Sequence, residues 1–418
     1  MPTSAPRPSV NHLLRPLSWL YGLGVGARNL LFDTGVLTET AFDLPVICVG
    51  NLAVGGTGKT PHADYLVRLL EDAGLRVALL SRGYKRSSHG WQLVGPRSTS
   101  ADIGDEPLQI YRRHPRAIVA VDADRRHGIR RLLAMTPRPD CIVLDDAFQH
   151  RYVRAGLNIL LTDYHRLFVG DALLPAGRLR EPVSGRRRAQ IVVVTKCPAR
   201  LSAVECAALR RRLRLEPGQH LFFTAMRYGT PYPLFPDEVR AGTGAATEKT
   251  SATTVFTSTT IGKTSTTIEN PVAAIEKTGT TTGNPDAATG GTGTAPAVSP
   301  SAPDALLAVS GIAHPEPFVR YAHTLCPRAT TLAYPDHHAF SHGDLVHIDR
   351  AFAALEGRRR VVLTTEKDAA RLLHAPGLTP AVRAALYVQP IEVEFLHGGE
   401  EKFNDIIYRY VRSYPRNR

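Results

Sequence analysis

Three closely spaced glycines, Gly55, Gly56 and Gly58, run straight into Lys59 and Thr60. Those residue types in that order suit the handling of phosphate. A glycine-rich turn lets successive backbone N–H groups face one anion. A lysine behind it reaches the terminal phosphates, and a neighbouring threonine hydroxyl can hold a magnesium ion. The expected nucleotide-binding set is Asn51, Val54, Gly55, Gly56, Thr57, Gly58, Lys59, Thr60 and Pro61, with ATP and Mg2+ as the ligands. The strict phosphate-loop pattern wants glycine where this chain has Ala53, so the match is imperfect. The bland alternative is a glycine turn with a surface lysine, and the order of the flanking elements argues against it.

Asp145-Asp146 closes a second apolar run. Carboxylates there can bind magnesium directly or through water, which makes Thr60, Asp145 and Asp146 the expected metal set. A helix N-cap with a neighbouring acid is the competing reading. Phosphoryl transfer also needs a group to take the acceptor's proton, for which Asp105, His150 and His337 are candidates. Asp105 lies in a helix-start composition, Gly104-Asp105-Glu106-Pro107, so by spacing alone it reads first as a cap. A lone loop histidine reads first as structural. The Pro/Gly loop 173–182 presents Arg178 and Arg180. Arginines there could stabilise a transferring phosphoryl group, grip a phosphate on the acceptor, or simply be solvated. Arg186, Arg187 and Arg188 read as a solvated or membrane-facing patch.

The elements that must position these groups are legible as patterns. An apolar run from Val46 leads into the glycines, and Ala63, Leu66, Val67 and Leu70 then recur at helical spacing. Further short apolar runs fall at 76–80, 117–121, 140–144, 158–162 and 191–195. Continuous apolar strands alternating with helices indicate a parallel sheet covered on both faces, with ligands beyond the strands' carboxyl ends. The glycine loop, Asp122 and Asp145-Asp146 all follow such ends. The predicted fold is α/β, a P-loop NTPase-like, mostly parallel sheet with a second, smaller α/β domain. The predicted divisions are an N-terminal membrane-associated helix over 1–35, a P-loop domain over 36–225 and a linker over 226–240. A Thr/Gly/Ala-rich insertion follows over 241–303, expected to be disordered because it has few large apolar residues to bury. The smaller α/β domain runs over 304–418, with 386–395 as a strand before a closing amphipathic helix.

Composition narrows the partners. The chain has 418 residues, ordinary apolar content and a net charge of +13, which favours an anionic partner: nucleic acid, an anionic membrane surface or a phosphorylated substrate. No aromatic-and-basic RNA motif and no zinc spacing is present, so no nucleic acid is expected. Five scattered cysteines without a C-x-x-C pair suggest reduced thiols in a cytoplasmic protein, with Cys48 and Cys141 in the core. The uncharged stretch 16–27 is shorter than the roughly 20 residues a spanning helix needs. A helix there would align Leu17, Leu20, Tyr21, Gly24 and Leu31. It fits either a monotopic helix on a membrane surface or an ordinary packed helix. A cleaved signal peptide is disfavoured, since a nucleotide loop follows so soon.

Taken together, VGNLAVGGTGKTP (49–61), SRGYKR (81–86), GDEP (104–107), LDDAFQH (144–150), LLPAGRLREP (173–182), YPDHH (334–338) and TTEKD (364–368) resemble the tetraacyldisaccharide 4′-kinase family, the lipid A 4′-kinases of Gram-negative bacteria. The resemblance runs from about residue 10 to the C-terminus, with the Thr-rich segment excepted. It implies that 36–225 is a kinase domain transferring the γ-phosphate of ATP-Mg2+ to the 4′-hydroxyl of a tetraacyldisaccharide 1-phosphate. It also implies a peripheral enzyme on the cytoplasmic face of the bacterial inner membrane, with the N-terminal helix helping to dock it. By the resemblance the general base falls on Asp105 and its partner on His337, with His338 the neighbouring alternative. Phosphate binding falls on Lys59 and Thr60, and the magnesium acids on Asp145 and Asp146. Arg82, Gln149, His150, Arg180 and Glu181 match further functional positions. A P-loop ATPase or GTPase switch, or a metallochaperone, is the alternative, and it would call for metal-ligand clusters absent from the sequence.

Overall fold

The apolar runs become strands of two sheets. A computed structural model of the chain describes residues 10–238 and 302–414; most of the expected insertion at 241–303 lies outside the described residues. The first lobe holds strands β1 (Val46–Asn51), β2 (Val77–Ser81), β3 (Gln92–Leu93), β4 (Ile118–Val121), β5 (Cys141–Asp145), β6 (Leu157–Asp163), β7 (Ile191–Thr195) and β8 (His220–Tyr228). Among and before them run helices α1 (Arg15–Asp33), α2 (Lys59–Asp72), α3 (Ser100–Ile103), α4 (Asp105–Arg113), α5 (Arg125–Leu133) and α6 (Ala203–Leu213). The second lobe holds β9 (Tyr232–Pro233), β10 (Ala305–Ser310), β11 (Thr330–Ala333), β12 (Arg360–Thr365) and β13 (Leu386–Gln389), with α7 (Glu316–Leu325), α8 (His342–Ala353), α9 (Glu366–Leu372) and α10 (Pro380–Ala385). Strand β14 (Ile391–Phe395) and helix α11 (Gly399–Arg412) close the chain.

The first sheet runs β14-β8-β7-β6-β1-β5-β2-β4-β3, and the second β11-β10-β12-β13-β9. Neighbours are parallel except at edge strands: β3 on β4, β14 on β8, and β9 on β13 are antiparallel. Strand β1 is buried along its whole length, as a strand covered on both faces must be. Its alternation feeds two cores: Ile47 and Val49 pack with Leu66 and Leu70 of α2, whereas Val46 and Cys48 pack with Ile129 and Leu132 of α5.

Two boundaries differ from expectation. Residues 386–395 are two strands, broken at Pro390, and the pieces enter different sheets. Strand β14 pairs with Thr224–Tyr228 at the free edge of β8, and α11 buries Phe403, Ile407 and Val411 in the first core. Residues 391–414 thus return to the first lobe, because β8 offers an unpaired edge that β14 can cover. Likewise 226–240 is not simply a linker: 226–228 finish β8, and Tyr232–Pro233 adds an edge strand to the second sheet.

Helix α1 lies on the first lobe. Ser18 Oγ donates to the Leu173 carbonyl at 2.9 Å and accepts from the Ala176 amide at 2.9 Å, and Tyr21 donates its hydroxyl to the Arg180 carbonyl at 2.9 Å. Helical spacing puts Tyr21 on the side of Leu17, Leu20 and Leu31; it faces the protein instead, because its hydroxyl finds an acceptor in the Arg180 carbonyl. Trp19, Leu20, Leu23 and Leu30 stand 71%, 66%, 70% and 60% exposed. No helix among the described residues is long and apolar enough to cross a membrane.

Candidate active site

The phosphate loop is built so that its carbonyls are tied back. Asn51, fully buried at the end of β1, donates through Nδ2 to Thr57 Oγ1 at 2.7 Å. The Thr57 carbonyl accepts from Thr195 Oγ1 at 2.9 Å, and that of Gly56 accepts from Lys196 Nζ. Lys59 Nζ reaches the Gly55 carbonyl weakly, at 3.5 Å. The amides of Gly55, Gly56 and Gly58 have no acceptor among the described residues. Gly58, at φ +81°, turns the chain into α2 in a left-handed conformation that a side chain resists. Carbonyls anchored and amides open at a helix N-terminus make an anion receptor. Val54 donates its amide to the Arg178 carbonyl at 2.8 Å, strapping the loop to 173–182.

The two acids at the end of β5 are not equivalent. Asp146, at φ +49°, lies 3.7 Å from Lys59 and accepts from Arg180 at 2.7 and 3.2 Å. Against burial, Lys59 and Arg180 hold its carboxyl below the usual range. Asp145 is buried, and burial followed by the Asp146 charge pushes it up to about 7. Its Oδ1 is buried without a hydrogen-bond partner. An orphaned carboxylate oxygen beside a phosphate loop fits a cation. No three His, Cys, Asp or Glu side chains among the described residues could hold a metal by themselves. Arg180 also engages Asn51 Oδ1, so this arginine joins the loop to the acid.

The lobes meet at α4. Gly104, at φ +93° and ψ 158°, caps α4 in a conformation closed to other residues, and a side chain there would meet the Tyr84 carbonyl at 3.1 Å. This brings SRGYKR against GDEP and aims Asp105 at the second lobe. His337 Nδ1 lies 3.0 Å from Asp105 Oδ2. His337 adopts φ +61° and its ring meets the Tyr84 ring edge-on. His338 instead hydrogen-bonds Asp344 at 2.9 Å at the start of α8, so of the two histidines it is His337 that reaches Asp105.

The remaining expected residues scatter around this frame. Gln149 donates to the Asn51 carbonyl at 2.7 Å and receives Arg28 of α1 on its own carbonyl. His150 lies 3.8 Å from Asp124, and burial, with Arg125 next, lowers it to about 4, leaving a neutral imidazole at neutral pH. Glu181 is buried against Arg188 and faces the protein interior, not the loop. Arg82 is exposed at the end of β2, close enough to Arg125 for its charge to bear on it.

Four further residues carry the site and were not singled out. Lys196 pins the loop and pairs with Asp163 at 2.8 Å; it follows the end of β7 as Asp146 follows β5, a positional signal in the sequence. Arg125 is buried near both acids, and burial lowers it to about 10. Arg371 grips Asp105 and is held by Asp368. Asp368 and Arg371 are three residues apart, one helical turn after TTE, a spacing that marks them only if the helix is known to face Asp105.

Comparison with known proteins follows the same lines. The profile of the family described as tetraacyldisaccharide-1-P 4′-kinase matches residues 10–266 and 245–412. The tetraacyldisaccharide 4′-kinase of Bacteroides thetaiotaomicron is 43% identical over 409 residues, covering 98% of this chain and 95% of that protein. That of Parabacteroides distasonis is 44% identical over 413 residues, covering 97% and 96%. A crystal structure of LpxK from Aquifex aeolicus in complex with ATP superposes with a TM-score of 0.62 at 25% identity, covering 96% of this chain and 99% of that one.

Proposed function

The chain belongs to the tetraacyldisaccharide 4′-kinase family, and from that premise we propose that it transfers the γ-phosphate of ATP to the 4′-hydroxyl of a tetraacyldisaccharide 1-phosphate. The observation that carries the reading is the Asp105–His337 contact, which spans the two lobes at 3.0 Å. A carboxylate on one lobe, oriented by an imidazole on the other, is a base assembled only when the lobes meet. That arrangement limits wasteful hydrolysis of ATP.

The chain's own residues divide the work. The open amides of Gly55, Gly56 and Gly58, with Lys59, bind and neutralise the outer phosphates. Thr60 and Asp145, with Asp146 beside them, would hold Mg2+, which when bound neutralises charge on the transferring group. Arg180, anchored on Asp146 and Asn51, stands where a guanidinium can take up phosphoryl charge. Asp105 accepts the proton of the acceptor hydroxyl.

The enzyme works, on this reading, at the cytoplasmic face of the bacterial inner membrane. Support comes from α1, whose apolar residues Trp19, Leu20, Leu23 and Leu30 stand uncovered. Beside it lies a groove of about 1020 Å3 lined by Arg15, Arg186, Arg211, Arg212 and Arg214. An apolar helix face flanked by arginines suits an anionic leaflet. The same α1 holds the loops that carry Arg180 and Gln149, so a membrane-bound substrate and the phosphate site share one support.

The test is incubation with ATP-Mg2+ and a tetraacyldisaccharide 1-phosphate, followed by mass analysis. The expected product carries one added phosphate, and Lys59→Ala abolishes it without unfolding the protein. ATP hydrolysis with no phosphorylated lipid would return the protein to the class of P-loop switches.

A further inference from the structure

The lobe junction holds a cation that the reading above does not use. Arg371, on α9, has a side chain only 8% exposed. Its Nη2 and Nε lie 2.6 and 3.2 Å from Asp105 Oδ2. Its Nη1 donates to Asp368 Oδ1 at 3.1 Å and to the Gly311 carbonyl at 3.3 Å. Asp368 is wholly buried, and its Oδ2 accepts from Thr365 Oγ1 at 2.6 Å and from the Gly311 amide at 2.9 Å. The guanidinium is therefore held by a built frame on the second lobe and reaches across to the first.

The side of the carboxylate it grips matters. Both Arg371 contacts and the His337 contact fall on Oδ2; among the described residues none falls on Oδ1. A carboxylate free to turn about its Cβ–Cγ bond would present either oxygen. One clamped through a two-nitrogen fork and an imidazole presents the other.

We propose that Arg371 is a positioning residue for phosphoryl transfer: it clamps Oδ2 of Asp105 and turns Oδ1 toward the acceptor hydroxyl. The proposal rests on Asp105 being the base. In the step, the acceptor O–H bond breaks and its proton passes to Oδ1. The oxygen bonds to the γ-phosphorus, and the bond from that phosphorus to the β–γ bridging oxygen breaks, releasing ADP. The charged and titratable groups around the carboxylate are Glu106 on α4, itself 3.5 Å from Lys367 of α9; Asp336 and His337 on the 334–338 loop; and Asp368 and Arg371 on α9. Arg371 is the permanent cation in direct contact with Asp105, so removing it changes the carboxylate's surroundings most.

The experiment measures kcat and KM of Arg371→Met, Arg371→Lys and Asp105→Asn, with melting curves for each. In R371M kcat is expected to fall about tenfold or more while KM for ATP stays within about twofold of wild type, because the carboxylate loses its orientation and the nucleotide site is untouched. R371K keeps the charge but not the two-nitrogen fork, so it melts like wild type and recovers only part of kcat. A folded R371M with wild-type kcat, or with its deficit in KM for ATP alone, overturns the proposal and leaves Arg371 as lobe packing. Should R371M not fold, R371K decides: wild-type kcat overturns the proposal. Wild-type turnover in D105N removes the base assignment itself, which is a separate failure.

Discussion

Glu366 offers a measurable link between the lobe junction and pH. It opens α9 at 7% exposure. Its Oε2 accepts from Gln109 Nε2 of α4 at 3.1 Å and from the Ile391 amide at 3.2 Å, and its Oε1 lies 3.3 Å from Arg113 Nη1. Arg113 lies closer, at 3.1 Å, to Asp64 of α2, so its charge is shared between two acids. Burial pushes the Glu366 carboxyl up to about 7, with Asp64 adding to the rise against Arg113. Arg113, which burial alone would lower, is held up by Asp64 and then Glu366. Unfolded, the carboxyl ionises near 4.5. Between 4.5 and about 7 the folded state keeps a proton that the unfolded chain has released, so stability falls as pH rises through that window. Below it the contribution is fully present; above about 7 it is lost. A shift of this size corresponds to about 3 kcal/mol. Glu366→Gln imitates the protonated form at every pH and keeps an acceptor for Gln109 and Ile391. Urea unfolding of E366Q and wild type at pH 5 and pH 8 should show the stability difference moving by about 2 to 3 kcal/mol in favour of the variant. A difference that does not change with pH, or one that moves toward the wild type, would refute the reasoning.

Other consequences can be checked in the same preparations. Gly104→Ala forces a side chain into φ +93° and toward the Tyr84 carbonyl; melting should report a loss of about 1 to 3 kcal/mol, and turnover should drop with it as Asp105 moves. Ser18→Ala removes both hydrogen bonds that seat α1 on 173–176, leaving the buried Ala176 amide unpaired while the Leu173 carbonyl keeps the Gly177 amide, for about 1 to 3 kcal/mol by denaturant titration. Leu23→Glu, on the uncovered face of α1, should leave melting unchanged and reduce sedimentation with anionic vesicles; unchanged vesicle binding would count against that face as the docking surface.

Much of the nucleotide half was local and therefore legible. A strand, a glycine turn, a lysine and a helix follow one another within 46–70, and their spacing dictates their geometry wherever the segment folds. The acids at the end of β5 were legible for the same reason, since an apolar run ending in Asp145-Asp146 must deliver them to the sheet's carboxyl edge. Local pattern could not say that Asp145 and Asp146 would divide, one orphaned and the other paired with Arg180 from a loop 34 residues away. Nor could it show that Glu181 turns inward to Arg188.

The sequence by itself determined the glycine loop's place between strand and helix, the parallel sheet and the apolar character of α1, because each depends on residues within one or two turns of each other. Only the tertiary structure decided which histidine meets Asp105, that Arg371 clamps it, and that β14 and α11 return to the first lobe. Those outcomes rest on contacts between residues more than 150 positions apart. Such contacts follow from how two sheets dock and which strand edge lies open, and no periodicity along the chain encodes them.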